Sequence, residues 1–463
     1  MANDFVAAGR AAVAAPSARA LYLRLADALG ERLTRRGGDG LPSARRIATE
    51  IGVNRATVTA AYRELAQRGL VVLRPGRPSR RQASRPVAET SAAGEPPPGG
   101  LDMARYAPDR SLVPSGRVLR WLGLGDGEGE SVVNYGDVRG FARLREALAG
   151  RMAGWGMRLG ADDVLLTAGV QHGLDLILRA TTRAGDVVLV EDPTYPGLPP
   201  LLAIHRLRPV GLPVHRDGVR DDELRELVRR HRPLLAIVTP TLQNPSGVVL
   251  DAARRKRLLA ALASSGTLVV EEQFDPGLVF DGGAPPPLAA LDPTVLAVGS
   301  FSKALFPGLR VGWITGPRAL LDRVAAVKQA TDLSGSPFLE ATAWALCRRG
   351  ELDRQLERLR RAAAARRDVV LAELGRAGGG VGWSVPRGGF SLLVTLPDGV
   401  SSRAVAARAA GRGAWVLPGP LMSVGGRDDV VRLAFAAAGG VRLRDGVRQF
   451  VAALGARPTV ALV

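Results

Sequence analysis

The sequence predicts a two-part protein: a small basic helix-turn-helix module followed by a large α/β domain built on a mainly parallel sheet. Three observations carry this. Short β-branched apolar runs alternate with helical patterns after residue 101. A stretch poor in large apolar side chains, SRPVAETSAAGEPPPGG (84–100), separates that body from what precedes it. The first 81 residues hold 15 arginines, no lysine and 6 acids, a net charge of +9 out of the whole chain's +19. Charge gathered in one small region points to a polyanion partner more strongly than the total does.

At 463 residues the chain is too long for one compact core, and 46% hydrophobic content suffices for more than one. No apolar run of eighteen residues occurs, so no membrane span is expected, and the N-terminus lacks the basic and apolar regions of a secretory signal. A single cysteine, Cys347, excludes an internal disulfide and fits a reducing cytoplasm. No metal site is expected.

Three helical patterns open the chain: Ala20–Thr34, Ser43–Ile51 and Arg55–Arg68. Ser43 follows Pro42 as an N-cap, Gly52 closes the second helix, and Asn54 caps the third. A short turn between two helices, the second offering Arg55, Thr57 and Thr59 near its start, is a helix-turn-helix arrangement suited to the major groove. Ala48, Ile51, Val53, Val58, Ala61, Tyr62 and Leu65 form its expected core. LVVLRPGRPSRRQ (70–82) then reads as a strand and a Pro-Gly turn ringed by Arg74, Arg77, Arg80 and Arg81, a wing that touches phosphate or the minor groove. A basic three-helix module that binds protein has the same outline.

In the body, VLLTAG (164–169), VVLVEDP (187–193), LLAIVTP (234–240), TLVVEE (267–272) and VLAVGS (295–300) read as buried strands. QHGLDLILRATTRA (171–184) and DAARRKRLLAALASS (251–265) are among the helices between them. Ligands of such sheets bind beyond the carboxyl ends of the strands, and the chain's unusual residues lie there. Among 63 basic residues only Lys256, Lys303 and Lys328 are lysines. An amine attacks a carbonyl to form an imine, and a guanidinium does not. Lys303 follows a strand in GSFSKALFPGLRVGW (299–313), with Arg310 seven residues on. That layout suits a carbonyl cofactor bearing a phosphate, which Ser300, Ser302 and Arg310 would reach.

Four further segments sit at strand ends. GVQHG (169–173) begins a helix whose Val170 and Gln171 N–H groups can bind phosphate. EDPTYPG (191–197) offers the Tyr195 ring for stacking. PTLQNPSG (240–247) offers the Asn244 amide to a ring oxygen. VEEQFD (270–275) offers acids to a protonated ring nitrogen. Singly, each has an ordinary explanation: a surface lysine, a turn-packing tyrosine, an asparagine turn before proline, solvated strand-end acids. Their order is the specific signal.

LPSARRIATEIGVNRATVTAAYRELAQRGLVVLRPG (41–76) resembles the GntR-type winged helix. That family's wing continues with Gly, Ser or Thr and an aromatic-Val strand. Here RPSRRQ stands instead, so a short or missing second wing strand is expected. From residue 101 onward the ordered segments resemble fold-type I pyridoxal 5′-phosphate (PLP) enzymes, the aminotransferase class I and II family, with a large mainly parallel α/β domain and a small α/β domain. The resemblance makes Lys303 the imine-forming residue. NYGDVRG (134–140) matches the segment whose tyrosine, here Tyr135, reaches the PLP phosphate of the partner subunit. VVRLAF (430–435) matches the segment whose arginine, here Arg432, binds a substrate carboxylate, and PRGGFSLLVTLP (386–397) matches a small-domain strand. Where the family has Asp and then Tyr, this chain has Glu272 and Phe274. The acid keeps the ring nitrogen protonated, and Phe274 has no hydroxyl for the ring oxygen, which argues against an optimised catalyst.

The two parts together resemble MocR-type (GabR-type) transcriptional regulators. The resemblance implies a winged helix over 15–82, a linker over 83–100 and a PLP-binding domain over 101–463. It also implies a bacterial cytoplasmic homodimer, nucleoid-associated on DNA, that binds a double-stranded operator and responds to PLP or an amino compound. A working aminotransferase is the alternative, and a body kept only as a dimerisation scaffold is a third reading, against which Lys303 counts. Arg55, Thr57 and Thr59 are expected at base edges, and Arg45, Arg46, Arg74 and Arg77 at phosphates. Arg74→Ala or Arg77→Ala should weaken DNA binding uniformly across sequences and lower the slope of log K against log salt by about one. An unchanged slope in salt titrations removes the phosphate contact.

Overall fold

The computed structural model describes residues 2–14, 20–35, 41–67, 71–74, 77–81, 132–215, 217–377, 380–436 and 440–455. The expected linker 83–100, the Pro75-Gly76 turn and the side chains of Arg74, Arg77, Arg80 and Arg81 lie outside the described residues. The chain divides into an N-terminal unit and a body, each compact by itself.

In the N-terminal unit, α1 (Ala2–Ala14), α2 (Leu21–Arg35), α3 (Ala44–Ile51) and α4 (Arg55–Gln67) precede β1 (Val71–Arg74) and β2 (Arg77–Arg81). Ser43 is extended and its Oγ accepts from the Arg46 N–H at 3.3 Å. Gly52, at φ 74°, closes α3. The Asn54 side-chain oxygen accepts from the Ala56 N–H at 2.8 Å, so both expected caps form. The expected core residues are buried, Val53 partly so.

Two features depart from the sequence reading. The unit contains a helix ahead of residue 15. Phe5 and Val6 of α1 join the core of Leu25, Leu29, Ile47 and Ile51, and the Arg10 guanidinium donates to the Glu50 carbonyl at 3.0 and 3.2 Å. Gly9 depresses helix propensity there, yet it is what lets Ile51 approach: a β-carbon on residue 9 would stand 3.1 Å from the Ile51 methyl. The second wing strand, expected short or missing, is a five-residue antiparallel partner of β1. Its register pairs Val72 with Arg80 and Arg74 with Arg77, breaking between them. Two residues then face one, and the break takes up Pro78, which has no N–H for the ladder.

The body holds a seven-stranded sheet in the order β3-β9-β8-β7-β6-β4-β5, parallel except for β9. Five strands match the predicted runs: β3 (Val164–Thr167), β4 (Val187–Asp192), β6 (Leu235–Val238), β7 (Leu268–Gln273) and β8 (Leu296–Ser300). The sequence reading did not single out β5 (Arg208–Pro213) and β9 (Gly312–Thr315). Two prolines disguise β5, whose edge position tolerates them, and β9 is only four residues long. Helices bury the sheet on both faces, with Leu174, Ile177 and Leu321 in one core and Leu224, Leu258 and Leu262 in another. A second sheet, β10 (Gly382–Trp383), β11 (Ser391–Thr395), β12 (Leu417–Pro418) and β13 (Val430–Ala434), is antiparallel in the order β10-β11-β13-β12. It packs with the helices Glu351–Leu374, Ser402–Ala410 and Gly440–Gly455. No helix among the described residues is long and apolar enough to cross a membrane.

Phe5→Ala should destabilise the N-terminal unit by about 3 kcal/mol, the usual cost of emptying a buried phenylalanine site. Thermal unfolding of the full chain checks this, and an unchanged first transition would show that α1 does not dock.

Candidate cofactor site

Parallel strands all deliver their carboxyl ends to one rim of the sheet. Along that rim a single cleft is lined by Val170, Gln171, Tyr195, Asn244, Glu272, Phe274, Ser300, Ser302, Lys303 and Arg310. The expected residues therefore meet at one place, with Gln273, Asp275, Leu278, Ala304 and Pro307 beside them.

The Lys303 turn follows from its alternation. Phe301 and Ala304 are buried and Phe301 stacks edge-on against Trp313, with ring centroids 5.2 Å apart. This leaves Ser300, Ser302 and Lys303 to the cleft. The Ser302 N–H donates to Ser300 Oγ at 3.4 Å. Arg310 ends the turn at φ 51°, a left-handed conformation that is costly for any residue with a side chain and typical of functional sites. Its guanidinium donates to the Ala168 carbonyl and lies over Gly169, whose φ is 102°. A β-carbon on residue 169 would stand 3.2 Å from that guanidinium, a tight contact, and the backbone conformation there itself favours glycine. The helix Val170–Thr181 begins beside it, with its first N–H groups unpaired within the helix.

The two strand-end glutamates of β7 separate by pleat. Glu271 accepts from the Ala289 N–H at 3.1 Å, away from the cleft, while Glu272 turns into it. Both are buried, not solvated. Burial pushes the Glu272 carboxyl up to about 7. The neighbouring Glu191 carboxyl adds to this, while the Thr239 hydroxyl, 3.5 Å away, and the Lys303 charge oppose it. Glu191, whose role sequence reasoning missed, is raised to about 7 by the same burial, with Thr239 and Gln243 opposing. The Gln243 amide donates to Glu191 at 3.2 Å. Tyr195 is half-buried, its phenol pushed up by burial and by Glu272.

Asn244 lies between the two sheets. Its Oδ1 accepts from Arg432 Nη1 at 3.3 Å, which leaves the amide N–H groups to donate elsewhere. Ser384 Oγ donates to the Ser246 carbonyl at 2.7 Å, Ser391 Oγ to the Pro245 carbonyl at 3.1 Å, and the Arg387 N–H to the Gly247 carbonyl at 3.1 Å. The small sheet thus grips this loop from behind, and Arg432 on β13 reaches the cleft through Asn244 and not as one of its lining residues. Tyr135 is 57% exposed and does not line the cleft of its own chain.

Asp275 is engaged elsewhere: it caps the next turn through the Gly277 N–H and pairs with Arg151 at 2.9 Å. In the N-terminal unit Arg45, Arg46 and Arg55 are exposed and Thr57 and Thr59 half-buried. Arg46 pairs with Glu50 at 2.7 Å and the Thr59 hydroxyl donates to the Arg55 carbonyl at 2.9 Å. Arg45 and Arg55 are in no ion pair among the described residues.

Residues 117–443 match the family described as aminotransferase class I and II, and residues 21–80 match bacterial regulatory proteins of the gntR family. The chain is 32% identical to aromatic-amino-acid aminotransferase 1 of Thermococcus litoralis, over 68% of this chain and 78% of that protein. It is 30% identical to the probable rhizopine catabolism regulatory protein MocR of Rhizobium meliloti, over 77% of each. Its fold is similar to LysN, the α-aminoadipate aminotransferase of Thermus thermophilus complexed with N-(5′-phosphopyridoxyl)-L-leucine. The TM-score is 0.68 at 29% identity, covering 75% of this chain and 90% of that one.

The donor set fits PLP: a lysine amine, an arginine with a free helix start, and a buried carboxyl that pairs with no cation among the described residues and so suits a protonated ring nitrogen. The raised acids also set a pH dependence. Between its ordinary value of 4.5 and about 7, Glu191 keeps in the fold a proton that the unfolded chain has lost. Stability therefore falls as pH rises through that window. Glu191→Gln cannot titrate, so its stability relative to the parent should rise by roughly 3 kcal/mol between pH 4 and 8. Urea unfolding of the two proteins across that range checks it, and a pH-independent difference would contradict the raised value.

Proposed function

The chain belongs to the aminotransferase class I and II family and carries a GntR-family domain ahead of it, the two-part arrangement of MocR-type regulators, and from that premise we propose a cytoplasmic DNA-binding regulator whose body holds PLP and senses an amino compound through it. The observation that carries the proposal is the meeting of Lys303, Arg310, Glu272, Asn244 and Tyr195 in one cleft.

PLP supplies an aldehyde that condenses with amines and a ring that withdraws electrons. The protein's own groups divide the work of holding it. Arg310, Ser300, Ser302 and the N–H groups of Val170 and Gln171 bind the phosphate, where charge-assisted bonds are strongest. Glu272 would hold a proton on the ring nitrogen of the bound group. The Asn244 amide donates to the ring oxygen, while Phe274 offers nothing there. The Tyr195 ring covers one face. The Lys303 amine is the group that would hold the aldehyde, and an amino compound would compete with it for that position. Arg432 binds a carboxylate on that amine. Tyr135 serves the partner subunit's cleft, so a homodimer completes both sites.

Arg55, Thr57 and Thr59 face base edges of a double-stranded operator, and Arg45, Arg46, Arg74 and Arg77 face its phosphates. A ligand alters DNA affinity only by binding two states of the body differently. The loop 244–247, held by the small sheet on one side and offering Asn244 to the cleft on the other, supports a coupling between ligand and small-sheet position. Aminotransferase turnover is the second reading, favoured by Arg432 beside Asn244.

The purified protein with added PLP should show a visible absorption band that Lys303→Ala lacks, and amino compounds should shift both that band and the affinity for operator DNA. A band with no effect on DNA but with steady conversion of an amino acid would favour the second reading. The absence of a band from both proteins would leave the body a scaffold.

A further inference from the structure

Arg310 donates to a backbone carbonyl, so its aim depends on what fixes that carbonyl. The backbone of Ala168 is held on the other side of its Cα by a side chain: the Ala168 N–H, in the preceding peptide unit, donates to His172 Nδ1 at 3.0 Å. Nδ1 therefore carries no proton, and a neutral ring has its proton on Nε2. Nε2 faces Asp332 Oδ2 at 3.7 Å, and Asp332 Oδ1 accepts from Lys328 Nζ at 3.1 Å. Lys328 is fully buried, one of three lysines in the chain. Hydrogen bonds join the Arg310 guanidinium to the Ala168 backbone and that backbone to the His172 ring, and beyond the ring the Asp332 carboxylate of a part-buried ion pair lies near Nε2 without a hydrogen bond to it.

Burial lowers the His172 pKa. Lys328 and Arg310 act in the same sense, while Asp332, on the facing helix Arg318–Asp332, and Asp175, on its own helix, act against it. At neutral pH the ring is the acceptor that the Ala168 N–H requires.

We infer that His172 is a positioning residue for the anion-binding end of the cleft, holding the Ala168 backbone so that the carbonyl of that residue aims Arg310, with the Asp332 carboxylate 3.7 Å from the ring's other nitrogen. The inference rests on the reading of the cleft as a PLP site and adds a residue that touches neither ligand nor Lys303. A purely local role is the competing account, since a side chain reaching back over the first turn also caps a helix. The two differ in what they do to ligands. Loss of a helix cap weakens the fold and affects every ligand of the cleft alike, whereas loss of Arg310's aim affects only ligands with a phosphate.

The experiment measures dissociation constants of PLP and of pyridoxal, which lacks the phosphate, for the full-length protein and its variants. His172→Met fills similar space without an acceptor and should lose about tenfold or more in PLP affinity, while pyridoxal affinity stays within about twofold. His172→Gln, whose amide oxygen can accept, should keep PLP affinity within about threefold of the parent. In an Arg310→Ala background, His172→Met should add no further loss, because both changes act on one interaction. Equal losses for the two ligands, or full additivity with Arg310→Ala, would overturn the inference. If the methionine variant does not fold, His172→Asn, too short to reach Ala168, carries the same comparison. A parent protein that binds no PLP sinks the cofactor reading and this inference together, whereas PLP binding with an unchanged PLP-to-pyridoxal ratio in the variants sinks only the inference.

Discussion

Arg310 lies close against the turn after β3, where Gly169 at φ 102° leaves room for it, and the shape of the cleft follows from that contact. The guanidinium would stand 3.2 Å from a β-carbon there, a tight contact. To get there the chain bends through a left-handed conformation at Arg310 itself, two residues before β9 begins. β9 in turn is the antiparallel strand wedged between β3 and β8. One close approach thus joins the start of the Val170 helix, the end of the Lys303 turn and the one reversed strand. Several weak local preferences are overridden together, as is usual where a fold builds a site.

Charge is distributed around that cleft unevenly. Lys303 and Arg310 stand at the open side, and Arg432 reaches it through Asn244. Two carboxyls, Glu191 at the end of β4 and Glu272 at the end of β7, lie buried with the Thr239 hydroxyl near them. Buried acids without a cation in contact keep their protons to higher pH and destabilise the fold once ionised. A cationic ring nitrogen relieves that cost, so the protein has a thermodynamic reason to bind a ligand of this type even without a hydroxyl at Phe274. The cleft need not be optimised for turnover to retain affinity.

The alternation of runs and helices was legible because buried parallel strands are apolar on both faces. Lys303 was legible because arginine supplies nearly every other cation. The cap residues Ser43, Gly52 and Asn54 were legible from local chemistry alone. β5 was hidden because an edge strand accepts prolines that normally argue against a strand. α1 was hidden because its docking depends on Ile51, more than forty residues away. The second wing strand was underestimated because pairing follows the backbone, and a register break absorbed Pro78. Which of Glu271 and Glu272 enters the cleft rested on resemblance, since the pleat that decides it is a property of the folded sheet. Glu191, Thr239 and His172 lay inside motifs quoted for other residues, and nothing in their spacing announces contacts that only the assembled rim creates.

The scarcity of lysine has a practical side. Lys328 is sealed inside its helix pair and Lys256 lies exposed on the helix Ala252–Ala263, so Lys303 is the one lysine side chain that opens into the cleft. Counting lysines, an amine-directed reagent meets close to two addresses besides the α-amino group, one on the surface and one in the site. Reductive trapping, acylating probes and mass tagging therefore sort almost by themselves into occupied and vacant clefts, a selectivity that most proteins acquire only after their surface lysines have been engineered away.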